Sequence, residues 1–401
     1  MHKIGVGYAL VTDLEKKYVN MALDAGRLSP GPFVHQFETT FAKLHNQRYG
    51  IACNSGTSSL HIALEALKEK YNWPQESEVL VPAITFIATS NACIHAGLKP
   101  VFVDVDSRTY NINPELIEEK ITDKTVAIMP VHTFGQPCEM DAIVAIAKKY
   151  NLKIVEDCAE AHFAKYKGQP VASFSDIAGS STYVAHTITT GIGGVITTND
   201  TELAEMARSL IAHGRACTCE SCIAYNPNQV CKLRMETQMD KRFMMIRLGY
   251  SYRIGELEGA LGVAQLENRD LIMSKRKKNA AYLTEHLRDT DEFLQLPCYP
   301  DYVDHSFMMY PLVIKNDAGF KRDDIVKYLE KHNIETRPML PLLNQPVYKK
   351  IFGEIEKEYP VAEWIDNNGF YVGCHHGLTK EDLDVIINAI HEFLRYIKGN
   401  R

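Results

Sequence analysis

Tyr49-Gly-Ile-Ala-Cys-Asn-Ser-Gly-Thr-Ser-Ser59 decides the fold. A short apolar run, fit for a buried strand, ends in small polar residues, and an amphipathic run follows through Leu67. That is a strand–turn–helix unit. The alternation repeats outward from it. Apolar strands are predicted at Glu78–Pro82, Pro100–Val105, Val126–Val131 and Lys153–Asp157, with helices at 36–47, Ser90–Ala96 and Met140–Tyr150. Strands alternating with helices imply an α/β class, a mainly parallel sheet with helices on both faces. Two further strands are expected at Ala178–Tyr183 and Gly194–Thr198. Beyond about residue 250 the order changes. One long helix is expected from Gly255 to Asp289, then a strand at Met308–Ile314 and helices at Arg322–His332 and Lys380–Ile397. The chain thus divides into a large domain, 1–250, with an N-terminal arm and a Cys-rich loop at 215–245, and a smaller C-terminal α+β domain, 251–401.

Composition bounds what such a chain does. Its 401 residues are 45% hydrophobic, enough for a large core. A net charge of -6 argues against a nucleic-acid binder, whose domains are usually basic. No apolar run reaches about 18 residues, so no membrane span is expected. Residues 1–8 lack the apolar stretch of a secretory signal, and a cytoplasmic protein is expected. Ten cysteines in that compartment should be mostly buried thiols. Four of them, Cys217, Cys219, Cys222 and Cys231, fall together as C-x-C-x2-C-x8-C.

Three segments carry chemistry. Asn54–Ser59 opens a helix at a strand end, where N–H groups and hydroxyls bind phosphate or merely cap the helix. Val155-Glu-Asp-Cys-Ala-Glu160 ends a buried strand in acids. There an open α/β sheet binds ligands, although a helix cap reads the same. The cysteine run fits an iron–sulfur cluster (2Fe–2S or 4Fe–4S), zinc on four thiolates, or incidental thiols. His132, His162, His213, His375 and His376 lack metal spacing and read as polar or substrate-side residues. Lys275-Arg-Lys-Lys278 reads as a solvated helical face.

With Ser181-Thr-Tyr-Val-Ala-His-Thr-Ile-Thr-Thr-Gly-Ile-Gly-Gly-Val-Ile-Thr-Thr-Asn199, the first two motifs resemble those of the DegT/StrS sugar aminotransferases and dehydratases. Gly31–Glu38, Val81–Thr89, Leu248–Gly262 and Glu335-Thr-Arg-Pro338 carry the likeness along nearly the whole chain. The resemblance implies the fold-type-I, aspartate-aminotransferase-like architecture of pyridoxal phosphate (PLP)-dependent transferases. It also implies a homodimer whose sites the neighbouring subunit completes. Residue by residue, Gly56 and Thr57 would bind the cofactor phosphate with Ser181 beside them. Phe86 would stack on the pyridine ring, and Asp157 would pair with the ring nitrogen. Ser251 stands where the family's asparagine reaches the phosphate across the dimer interface.

The departure is His186. It occupies the position of the lysine that holds the cofactor covalently in the family's aminotransferases. Histidine cannot make that link, so the amine form, pyridoxamine 5′-phosphate (PMP), would be held noncovalently. A near-neutral imidazole can serve as the general base. Lys-to-His replacement marks the family's 3-dehydrase branch, which acts on nucleotide-linked 4-keto-6-deoxyhexoses. Glu160 replaces the aminotransferases' usual glutamine and fits that branch. One kind, known on a GDP-linked sugar, regenerates PMP with glutamate. Another, known on a CDP-linked sugar, adds an iron–sulfur cluster fed by an NAD(P)H-dependent flavin/iron–sulfur reductase. The cysteine loop favours the second kind, with Cys158 as an alternative ligand. A noncatalytic binding protein of the same fold is the competing class.

Overall fold

The computed structural model describes residues 2–220, 222, 229–232 and 239–399. The main sheet contains β1 (Tyr49–Cys53), β2 (Glu78–Pro82), β3 (Lys99–Val103), β4 (Thr125–Ile128) and β5 (Lys153–Asp157). A small hairpin, β6 (Lys165–Tyr166) and β7 (Gln169–Pro170), stands outside it, and β8 (Ile177–Ser181) and β9 (Gly194–Thr198) complete it. The order is β1-β9-β8-β5-β4-β2-β3. Strand β9 runs against both its neighbours; every other pair is parallel.

The helices of this part are α1 (Asp13–Asp24), α2 (Pro32–Leu44), α3 (Gly56–Tyr71), α4 (Ala88–His95), α5 (Met140–Tyr150) and α6 (Thr201–Leu210). Side-chain alternation assigns them to faces. Val79 and Val81 of β2 join the core under α3, with Leu60, Leu64 and Leu67. Leu80, between them, joins the opposite core with Met140 and Ile143 of α5. A strand buried on both faces reads as a continuous apolar run, which is why β2 was visible in sequence. Each such Val or Leu contributes about 1.5–3 kcal/mol by leaving water.

The long helix expected at Gly255–Asp289 is two helices, α7 (Glu256–Glu267) and α8 (Arg269–Leu287). The break is Asn268, whose side-chain amide donates to the Glu15 carboxylate at 3.0 Å. Gln265 donates to the same oxygen at 2.8 Å, and α7 docks on α1 and α2. Helix α8 then packs a second, antiparallel sheet. Its strands are β10 (Leu294–Gln295), β12 (Tyr310–Ile314), β13 (Arg337–Pro338) and β14 (Gly369–Val372), while β11 (Val303–Asp304) pairs with β6. Ala280, Leu283 and Leu287 of α8 share its core with Leu312, Phe370 and Ile386.

Two other expectations are corrected. Lys275–Lys278 is not a uniformly solvated face, because Arg276 is fully buried. It lies four residues from both Ile272 and Ala280, on the helix's inward stripe. Of the six scattered cysteines five are buried, but Cys298 is half-buried and accepts from Arg108 at 2.7 Å. Among the described residues no helix is long and apolar enough to cross a membrane.

Candidate active site

The carboxyl end of β5 meets the turn after β1 and the loop from β8 to β9. Strand β5 delivers Asp157 buried, and its neighbour β8 delivers Ser181. Asp157 accepts from the Thr89 hydroxyl at 2.8 Å and from the Ala159 N–H at 3.1 Å. Burial pushes its carboxyl up; those two bonds and His132 oppose the shift. Each carboxylate oxygen keeps a lone pair for a further donor.

Ser55 caps α3, accepting the Ser58 N–H at 3.0 Å. Gly56 is the first residue of α3, and a Cβ there would lie 2.5 Å from the Cβ of Ser181. Only glycine lets the helix start seat itself against Ser181. The unused N–H groups of such a helix start face an incoming anion. Replacing Gly56 with Ala should therefore push Ser181 off the helix start. PMP affinity should fall about tenfold or more while the chain stays folded, as measured by near-ultraviolet absorbance of retained cofactor. Unchanged retention would remove Gly56 from the cradle. Phe86 is 60% exposed on the turn before α4, three residues from Thr89, leaving its ring free to cover a planar ligand.

Glu160 is buried and accepts the Phe134 N–H at 2.6 Å. Burial, resisted by that bond and reinforced by the charge of Asp157, holds its carboxyl at about 7. Phe134 has a left-handed φ of 59°, a costly conformation for a bulky residue. Its two backbone partners keep it there: the N–H to Glu160, and the carbonyl accepting the Met308 N–H at 3.0 Å. Met308 in turn places its sulfur 3.2 Å from Nδ1 of His186. His186, Met308, Phe134 and Glu160 thus form one connected set, with Asp157 beside it. Burial and the Arg276 guanidinium push His186 down to about 4, so its ring is neutral at pH 7. Sequence reading missed Thr89, Met308 and Arg276. The helical stripe through Ile272 and Ala280 was the available signal for Arg276.

Ser251 is exposed; the next residue, Tyr252, accepts the Asn54 N–H at 2.7 Å. The four clustered cysteines are all described, although 221, 223–228 and 233–238 of their loop lie outside the described residues. Burial, the neighbouring Cys217, and the nearby Cys231 and Cys222 sulfurs push the Cys219 thiol up. They are not drawn to within 4.8 Å in threes; among the described residues that spacing occurs at His132, Glu156 and Cys158. That trio is satisfied without a metal. His132 bonds Glu156 at 3.0 Å, and Glu156 accepts the Ala172 and Phe174 N–H groups. Cys217, Cys219 and Cys222 line a cavity of about 460 Å³ with Arg27, Arg208, Arg215, Arg242 and Arg253. Its walls come from α2, β1 and α6, and it shares no lining residue with the Asp157–His186 site of the same chain.

The residues around Asp157 fit a B6 cofactor. The Gly56 cradle is too tight for any side chain, and Asn54 leaves its buried Oδ1 unpartnered beside it. Comparison with known proteins agrees. The DegT/DnrJ/EryC1/StrS aminotransferase family matches residues 10–391. The lipopolysaccharide biosynthesis protein RfbH of Salmonella typhimurium is 35% identical, over 94% of this chain and 88% of that one. GDP-perosamine synthase of Caulobacter vibrioides is 33% identical, over 98% of each. A solved His-to-Asn mutant of GDP-4-keto-6-deoxymannose-3-dehydratase with bound GDP-perosamine superposes with a TM-score of 0.87. It is 28% identical and covers 96% of this chain and 99% of that one. The fold is that of the type-I PLP-dependent transferases, with a mixed, mostly parallel sheet. The motifs, the site they build and the extent of these matches agree: the chain belongs to the DegT/DnrJ/EryC1/StrS aminotransferase family.

Proposed function

We propose that the chain is a PMP-dependent 3-dehydrase of a nucleotide-linked 4-keto-6-deoxyhexose, replacing the C-3 hydroxyl by hydrogen. The observation that carries this reading is His186, standing on the β8–β9 loop where transamination needs lysine. Lys167, the nearest lysine upstream, does not substitute. It is tied to Asp141 at 2.6 Å on the β6–β7 turn.

When bound, PMP supplies an amine for the 4-keto carbon and a protonated ring that accepts an electron pair. Gly56, Thr57 and Ser181 would hold its phosphate, with Ser251 reaching across a dimer interface. Phe86 would cover the ring, and Asp157 would keep the ring nitrogen protonated. His186, neutral at pH 7, would serve as the base for the methylene proton. Glu160, held near 7, can accept or return a proton beside Asp157. Exchanging hydroxyl for hydrogen consumes two electrons and two protons and releases water. An NAD(P)H-dependent flavin/iron–sulfur reductase would be the donor in this reading. Cys217, Cys219, Cys222 and Cys231 would hold a 2Fe–2S or 4Fe–4S cluster, which supplies one-electron chemistry. An apolar stretch between this loop and Ser251, with Phe243 69% and Leu248 97% exposed, supports a homodimer that covers it.

The test is product and metal together. Purified without oxygen, the protein should carry iron and acid-labile sulfide. Cys217→Ser should lose both yet retain PMP. With PMP and an electron donor it should yield a 3-deoxy sugar. A 4-amino sugar formed from glutamate would make it an aminotransferase. Full 3-dehydration driven by glutamate alone, or stoichiometric zinc without sulfide, would remove the cluster from the reaction.

A further inference from the structure

The β8–β9 loop brings His186 against a residue from the second sheet region, and the chemistry of that contact is one-sided. Nδ1 of His186 lies 3.2 Å from Sδ of Met308. A thioether has lone pairs and no hydrogen to give. If Nδ1 also carried a lone pair, two acceptors would face each other at hydrogen-bond distance. The contact is favourable only when Nδ1 bears the proton. In a neutral ring that leaves the lone pair on Nε2.

Met308 is held firmly enough to impose this. Its N–H donates to the Phe134 carbonyl at 3.0 Å. Its own carbonyl accepts from Nη1 of Arg276 at 2.7 Å, and the same nitrogen donates to the Phe307 carbonyl at 3.1 Å. Phe307 has a left-handed φ of 49°, so this turn of chain needs such an anchor. Cys374 adds a contact to the Phe307 carbonyl at 3.3 Å. Arg276 is fully buried, with the Phe307 and Met308 carbonyls as its hydrogen-bond partners. Nε and Nη2 make no hydrogen bond in this structure. A buried guanidinium is costly, and here it is spent on the backbone behind His186.

We propose that Met308 fixes the tautomer of His186 with the proton on Nδ1, and that Arg276 is the positioning residue that holds Met308 there. The proposal rests on His186 being the base. It then explains how Nε2 becomes the nitrogen free to take a proton. Burial and Arg276 hold the ring neutral, so that a tautomer exists to be chosen. The ionisable groups facing the ring are Arg276 from α8, His162 at 6.5 Å between ring centres, and Tyr183 on its own loop at 6.4 Å.

The experiment is nitrogen NMR of histidine-labelled protein, with and without PMP. Wild type should show His186 with a protonated Nδ1 and a bare Nε2. Met308→Leu keeps the bulk and removes the acceptor. It should shift the ring toward the Nε2-protonated form that histidine prefers in water and lower kcat about tenfold, with KM and PMP retention unchanged. Met308→Gln, whose carbonyl can accept the same hydrogen, should restore the wild-type tautomer. Arg276→Lys keeps the charge but loses the two-carbonyl grip, and should give a mixture of tautomers. A wild-type ring protonated on Nε2, or shifts unchanged by Met308→Leu, would overturn the proposal whatever the turnover. Should His186→Asn still turn over, the base assignment fails instead, and the NMR result tells the two apart.

Discussion

With His186 changed to Asn, removal of the methylene proton of bound PMP should fall about 10²–10⁴-fold, the usual contribution of a positioned general base. PMP itself should stay bound, because no part of its cradle involves this side chain. Asparagine keeps a polar group of similar reach but has no basic nitrogen. The measurement is loss of deuterium from labelled methylene into water, single-turnover, with excess sugar. Wild type should lose it at a rate independent of pH from 8 to about 5, since the imidazole is already neutral there. No inflection should appear near 6.5, because burial keeps the ring neutral for as long as the chain is folded. Washout that survives in the Asn variant would pass the role to another group, and Glu160 would be the first to examine. A wild-type profile bending near 6.5 would mean that His186 is not shielded as the structure has it.

Acid should unfold this protein steeply. Six imidazoles are held neutral by burial: His45, His186 and His375 at about 4, His305 and His376 at about 3, and His162 well below its ordinary value. In the unfolded chain each takes a proton below about 6.5. The folded state lacks those protons, so its stability is lost as pH falls from 6.5 toward 4. Two carboxyls work the other way. Glu38 and Glu160, held at about 7, carry protons in the folded state that an unfolded carboxylate releases. Between pH 6 and 5 unfolding should therefore take up about four protons net, a slope of roughly 5 kcal/mol per pH unit. Typical total stability is about 5–15 kcal/mol, so collapse should come within about two pH units below 6.5. Denaturant midpoints at pH 7, 6 and 5 test this. Midpoints that stay level across that span would show that the buried histidines titrate in the folded protein.

Much of this was legible because the main sheet is buried on both sides. Glu78–Pro82 holds the apolar run Val79–Val81, and Lys153–Asp157 sets Ile154 and Val155 before its terminal acids; both strands fall where sequence put them. Helix α1 went unread, although Thr12 and Glu15 form a reciprocal capping box that marks its start. The break at Asn268 was invisible because its cause, Glu15, lies far away in the chain. Asp157, Glu160, Ser181 and His186 could be named from motif order, since each sits at a strand end or on a loop fixed by glycines. Met308 could not. Its role comes from a sulfur that meets His186 across 122 positions of sequence, and one apolar residue in a strand-like run carries no sign of it.

Strand β9 runs opposite to the rest of the sheet. The chain therefore leaves β8 and returns as β9 at the same end, without crossing behind the sheet. Residues 182–193 form a closed excursion, pinned at one end by Ser181 against Gly56 and at the other by Gly194 against the Ser55 carbonyl. Such a segment behaves as a cassette. Its chemistry can be exchanged, lysine for histidine included, without altering strand order or the seating of α3. A transplant of this segment from a lysine-bearing relative is the smallest unit in which to ask what reaction this scaffold permits.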